Sequence, residues 1–226
     1  MANTTKGILI FILAWTFIPI MDGIAKYLSG SLPVMQIVWA RYFFTCFLVF
    51  PIIILLYKKK SFTSENYGLQ ILRGSFLVIA TLCFFYSISI IPLANALALA
   101  FVYPLFITIL SPIFLNEKFG IRRFSAVIFG LVGVLFIIKP GFGEFNNAML
   151  AAMGTGLAYA LYMISTRKLT YSDTPLKTLA FTGLVGLFSI SIFQPLIWIQ
   201  PSAMEWVLMF GMGFVATIGH FLIILS

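Results

Sequence analysis

From Gly74 to Asn116 the chain runs 43 residues without a charged side chain. As one helix, at ~1.5 Å per residue, this run would measure about 64 Å. The hydrocarbon core of a bilayer is only roughly 30 Å thick. The segment must therefore cross, turn and cross back, and Pro92 supplies the break because proline lacks a backbone donor and ends helices. The rest of the chain is equally apolar: 62% of its residues are hydrophobic and 9% charged, whereas soluble domains carry about 25% charged residues. A barrel would alternate polar and apolar positions along strands of roughly ten residues, and these runs do not alternate. The expected class is an all-α polytopic membrane protein.

Reading every apolar run this way gives eight spans, at approximately 7–28, 34–57, 72–91, 93–115, 121–139, 148–166, 176–199 and 204–226. The connection Lys139 to Asn147, KPGFGEFNN, is the midpoint, dividing the chain into 1–140 and 148–226. With a cytoplasmic N-terminus, eleven of the fourteen Lys and Arg fall in inner segments, Arg73 and Lys118 among them. This is the positive-inside bias, and it accounts for the net charge of +8 without nucleic acid as a partner. The start, MANTTKGILIF, has no small-residue cleavage signal and reads as a retained first helix. Cys46 and Cys83 lie within apolar runs as small hydrophobes, with no disulfide framework, metal spacing or cofactor motif.

A shift of 142 residues places Lys26 on Lys168, Pro33 on Pro175 and Trp39 on Phe181. Five spans before the midpoint make the second half start on the opposite side of the membrane, the arrangement of inverted-repeat transporters. Near the end, a shift of 139 places Ser226 opposite Ser87, and counterparts of the fourth and fifth spans do not follow. The expectation is a five-plus-five plan of ten helices, of which this chain holds eight.

The ordered motifs resemble the EamA branch of the drug/metabolite transporter superfamily. They are Asp22 with Lys26, Trp39-Ala-Arg41-Tyr42, Leu72-Arg73-Gly74, Pro104-Leu105, Asn116-Glu117-Lys118, Gly130 with Gly133, Lys139-Pro140, Gly156 with Tyr159, and Gly219-His220. The resemblance implies an inverted-repeat secondary transporter of the bacterial inner membrane, similar to S-adenosylmethionine and riboflavin transporters. It implies a small-molecule substrate, a lipid environment and no cofactor, and leaves a homodimer open. The alternative is a non-transporting fragment or an accessory membrane subunit. An intramembrane enzyme would need a nucleophile–base pair or a metal cluster, and one histidine with no paired intramembrane acids supplies neither.

Asp22, Lys26 and Arg41 are the candidate pathway residues, because charge inside a membrane is costly and faces a cavity or a partner. Asp22 and Lys26 are four apart on one helix face, and Lys26 also suits a headgroup contact. Asp22 and Arg41 fall at similar depth on consecutive antiparallel spans and are expected to pair. At the shift of 142 their counterparts are Ile164 and Gly183, which makes the charge one-sided. Trp39, Tyr42, Tyr103 and Tyr159 could stack a planar ring or simply pack. Pro104 and Pro112 are expected to divide the fourth span, freeing the Ala100 carbonyl near mid-membrane. Glu117 and His220 are candidate gate or coupling groups, with a boundary ion pair and an ordinary buried histidine as the plain alternatives.

Overall fold

The computed structural model describes residues 2–58, 61–115, 125, 127–130, 132–133, 146–169 and 172–226. They form nine described helices: α1 (Ala2–Leu28), α2 (Val34–Tyr57), α3 (Tyr67–Ile90), α4 (Leu93–Ala100), α5 (Tyr103–Leu115), α6 (Asn147–Leu169), α7 (Pro175–Ser191), α8 (Gln194–Ile197) and α9 (Ala203–Leu225). Among the described residues six stretches are long and apolar enough to cross a membrane: Thr5–Leu28, Val34–Tyr57, Tyr67–Ile90, Leu93–Leu115, Asn147–Leu169 and Ala203–Leu225; Pro175–Ser191 is a shorter apolar helix. The protein is an integral membrane protein whose regular elements, among the described residues, are all helices. The expected fifth span, 121–139, falls mostly outside the described residues, as do the midpoint connection and Glu117 with its neighbouring cations.

Three expected boundaries are corrected. The span expected at 72–91 begins at Tyr67, because the Asn66 side chain accepts from the Leu69 amide at 2.9 Å and caps the helix earlier. Arg73 is thereby moved from the membrane boundary into the second turn of α3. The span expected at 176–199 is two helices, α7 and α8. Pro195 has no amide for the Ser191 carbonyl, and it sits instead in the first turn of α8, where the missing donor costs nothing.

The third correction concerns the fourth span, which divides before Pro104 and not at Pro112. Phe101 and Val102 separate α4 from α5. Pro104 becomes the second residue of α5, while Pro112 lies within that helix.

The described helices pack as two units, Met1–Ser75 with Leu169–Ser226, and Phe76–Lys168. In the first unit α9 runs antiparallel to α1, with Gly219 against Ile18 and Gly7 beside the carbonyl of Ser226. α9 runs alongside α2 in the same direction: Gly213 faces Phe44, Thr217 bonds Thr45, and Ile224 joins Val49 and Ile53 in a buried cluster with Leu179 and Ala180. α7 is antiparallel to α2. There a Cβ on Gly183 would stand 2.9 Å from Cys46 Sγ, and one on Gly186 would stand 2.3 Å from the Tyr42 ring. Small residues at such crossings let helices approach where no water drives them together.

In the second unit, the Thr155 hydroxyl of α6 bonds the Ala80 carbonyl of α3 at 3.4 Å. Gly156 lies at the α4–α5 break: a Cβ there would meet Val102 at 2.6 Å and the Ala100 oxygen at 3.0 Å. Irregular backbone at membrane depth is tolerated only when covered by protein or lining a cavity, and α6 supplies the cover through a residue without a side chain.

Candidate functional site

Ionisable side chains collect in the interior of the first unit. Asp22 is 2% exposed, Arg41 3%, His220 5% and Arg73 0%. They come from four helices, α1, α2, α9 and α3, each apolar over most of its length.

Arg41 is held on several sides. Its Nη1 donates to the Tyr42 hydroxyl at 3.2 Å, its guanidinium carbon lies 4.9 Å from the Tyr42 ring centroid, and Nη2 is 2.6 Å from His220 Nε2. A guanidinium has no acceptor, so Nε2 must accept and the ring proton resides on Nδ1. Arg41 also acts electrostatically on Asp22, and both Arg41 and Arg73 act on His220. The Tyr42 ring is fixed by the α7 crossing at Gly186. Beside it the Thr45 hydroxyl bonds the Arg41 carbonyl at 2.9 Å and receives Thr217 at 3.1 Å, tying α2 to α9.

Asp22 is the less satisfied partner. Its Oδ1 makes no hydrogen bond although the side chain is buried. The neighbouring Gly23 faces open space, since a Cβ built there meets nothing within 4 Å. Lys26 follows one turn later, half-buried at the helix end.

Arg73 has a different setting. Its Nη1 donates to the Thr178 carbonyl at 3.3 Å and to the Thr182 hydroxyl, both on α7. Within the same packing, a Cβ on Gly74 would lie 2.8 Å from Val185. The cluster continues outward: Gln70 Nε2 donates to Asp173 at 2.9 Å, Ser64 donates to the same carboxylate, and Lys177 donates to the Thr63 carbonyl and hydroxyl at 3.1 and 3.0 Å. These bonds join the segment before α3 to the start of α7.

The aromatic candidates separate between the two units. Trp39 stacks on Phe43 at 4.7 Å, meets Trp198 edge-on at 5.4 Å and donates Nε1 to Ser191 at 3.0 Å. Tyr103 and Tyr159 come together in the second unit, T-shaped at 5.2 Å, with Tyr162 tilted 5.5 Å from Tyr159. That tyrosine group stands at the α4–α5 break. Sequence reasoning singled out neither Tyr162 nor Gln36. Fully buried Gln36 clasps the residue before the last turn, donating to the Ile199 carbonyl at 2.7 Å and accepting from its amide at 3.0 Å. An uncharged amide in an apolar run was the available signal, and for Tyr162 its three-residue spacing from Tyr159.

The model of the EamA-like transporter family matches residues 5–139. The S-adenosylmethionine uptake transporter of Rickettsia prowazekii is 27% identical over 209 residues, covering 92% of this chain and 70% of that protein. The riboflavin transporter of Vibrio cholerae is 26% identical over 223 residues, covering 96% of this chain and 74% of that protein. The chain thus spans about seven tenths of the length of these relatives. A crystal structure aligns over 97% of this chain with a TM-score of 0.72 at 17% identity, a likeness of fold.

Proposed function

We propose, from the premise that this chain belongs to the EamA-like transporter family, that it is a secondary transporter moving a small metabolite across the bacterial inner membrane by alternating access. The observation that carries the reading is the buried Asp22–Arg41–His220 group on three apolar helices. Intramembrane charge of this kind marks pathways, because its cost is otherwise unrecovered. Asp22 and Arg41 bind or gate the polar part of the substrate, with Tyr42 and His220 orienting the guanidinium and Lys26 at the pathway's mouth. Within the first unit Trp39 offers a face for a planar group from α2; within the second unit Tyr103 and Tyr159 offer such faces beside the α4–α5 break. Glu117 is a candidate inner gate by its position in the sequence alone.

An inverted five-plus-five repeat is supported by the way α2 and α7 begin. α2 follows Pro33 and α7 starts at Pro175, positions related by the shift of 142, and the two helices pack antiparallel. A two-fold axis in the membrane plane would produce that relation. The positive-inside bias supports a cytoplasmic N-terminus. A homodimer is compatible with this plan.

The test is uptake by vesicles carrying the full-length protein. Arg41→Ala and Asp22→Asn are each expected to bring uptake close to that of empty vesicles, with folded protein still present. Unchanged uptake in both variants would remove the group from the pathway.

A further inference from the structure

We propose that the end of α2 and the start of α7 form a binding site for an anionic phospholipid, with Lys177 and Lys58 meeting its headgroup phosphate. The site stands apart from the buried charged group and does not rest on the transport role given to it.

Lys177 is the organised half of the site. Its Nζ donates to the Thr63 carbonyl at 3.1 Å and to the Thr63 hydroxyl at 3.0 Å, and it lies 5.3 Å from the Tyr57 ring centroid. These contacts fix the ammonium in place, yet the carbonyl, the hydroxyl and the ring are all neutral. An ammonium held by neutral partners keeps its charge available to an anion. The nearby carboxylate, Asp173, accepts instead from Gln70 and Ser64. Among the described residues no carboxylate forms an ion pair with Lys177 or with Lys58.

Lys58 follows Tyr57 in the chain, and it is exposed. It caps α2 with φ 48°, a left-handed conformation uncommon for a residue with a side chain. The turn it makes is closed by Ser61, whose amide donates to the Lys58 carbonyl at 3.1 Å and whose hydroxyl donates to the Ile53 carbonyl at 3.1 Å. Phe62 then packs edge-on against Phe50 at 5.3 Å. The connection is thereby folded back on the end of α2, which brings Thr63 within reach of Lys177. In the sequence Lys59 and Lys60 continue the basic run. Four lysines against the acids Glu65 and Asp173 leave the locality with two net positive charges.

The apolar surface beside these cations selects a lipid over a soluble anion. Leu55 is 77% exposed and Leu56 66%, both on the last turn of α2. A lysine stem lies along apolar surface while its head stays at the interface. A phospholipid matches both parts, its phosphate at the lysines and its acyl chains over the leucines. An anionic headgroup is favoured over a zwitterionic one, whose ammonium would meet a locality that is already net positive. A lysine near an anionic lipid surface contributes about a fivefold factor in binding.

The experiment is native mass spectrometry of the full-length protein in detergent, titrated with dioleoylphosphatidylglycerol, dioleoylphosphatidylethanolamine or inorganic phosphate. The first phosphatidylglycerol is expected to bind about tenfold more tightly than the first phosphatidylethanolamine, and inorganic phosphate at equal concentration should not displace it. Lys177→Gln and Lys58→Gln should each weaken that step about fivefold, and the double variant should lose the preference for phosphatidylglycerol. Equal binding of the two lipids by the wild-type protein would overturn the proposal, as would a preference that survives in the folded double variant. Displacement of the lipid by equimolar phosphate would make this a soluble-anion site and overturn the lipid assignment. The preference is read on the wild-type protein, so it stands whether or not a variant folds. None of these readouts measures transport, so their failure would leave the transporter reading untouched.

Discussion

Two arginines are buried in the same helical unit, and their surroundings differ. Arg73 donates to a backbone carbonyl and a threonine hydroxyl of α7, and it also acts electrostatically on His220. Arg41 ends on a histidine ring and a tyrosine, and it acts on a carboxylate with a vacant hydrogen-bonding position. The difference teaches that burial alone does not mark a pathway residue. Arg73 clasps α3 to α7 through Thr178 and Thr182 and does not act on the carboxylate in the way Arg41 does. Arg41 is poised against groups that can exchange partners, which is what a site that loads and releases cargo requires.

The comparison is broken most forcefully at Arg73. Arg73→Ala removes a fully buried, hydrogen-bonded cation, and a loss of about 3–5 kcal/mol is expected. It would be read as a collapse of the monodisperse fraction in detergent gel filtration. Arg73→Lys should restore much of the yield, since an ammonium also donates to a carbonyl and a hydroxyl.

The Arg41 region should respond as a coupled pair. Arg41→Ala leaves Asp22 without the cation that acts on it, and Asp22→Asn leaves Arg41 without its counter-charge. Each change should cost on the order of 2–4 kcal/mol of stability, and the double variant should cost less than their sum by about 1–3 kcal/mol. Thermal melting of the four proteins in one detergent measures this. Strict additivity would show that the two residues are energetically independent.

A smaller effect reaches Arg41 through its support. Gly186→Ala would drive a methyl group to 2.3 Å from the Tyr42 ring, and overpacking of this kind costs about 1–3 kcal/mol. The ring would have to move, taking the Arg41 contact with it. Uptake is therefore expected to fall further than the melting temperature suggests, and Tyr42→Ala in the same background should recover stability but not uptake. The smallest effect is at Ser202, which caps α9 in a reciprocal capping box with Glu205. Ser202→Ala should lower stability by about 1 kcal/mol and leave the relative uptake of the Arg41 and Arg73 variants unchanged.

Much of this was legible in the sequence, and the exceptions have physical causes. The apolar runs located α2 at 34–57 and the start of α4 at residue 93 as observed, since composition and proline decide both. Asp22 and Arg41 were identifiable from the cost of charge in hydrocarbon, and Tyr42 as an aromatic beside Arg41 in an apolar run. Arg73 was not, because its position near the end of an apolar run made it one more inner cation. A single capping asparagine at position 66 shifts the helix start and buries it. The partner of His220 was likewise hidden. A search for acids within its own span finds only distant Glu205, whereas its actual neighbour is an arginine 179 residues earlier in the chain. The gap between α4 and α5 was foreseen in kind from Pro104, but its cover by Gly156 depends on tertiary packing that no local pattern encodes.

The most direct test of the distinction between the two arginines is initial uptake by vesicles containing equal amounts of folded full-length protein with Arg41→Lys or Arg73→Lys. Lysine keeps the charge but cannot hold the histidine and the tyrosine in the geometry of a guanidinium. The account predicts uptake near background for Arg41→Lys and near wild type for Arg73→Lys. The opposite ranking, with Arg41→Lys active and Arg73→Lys silent, would contradict it.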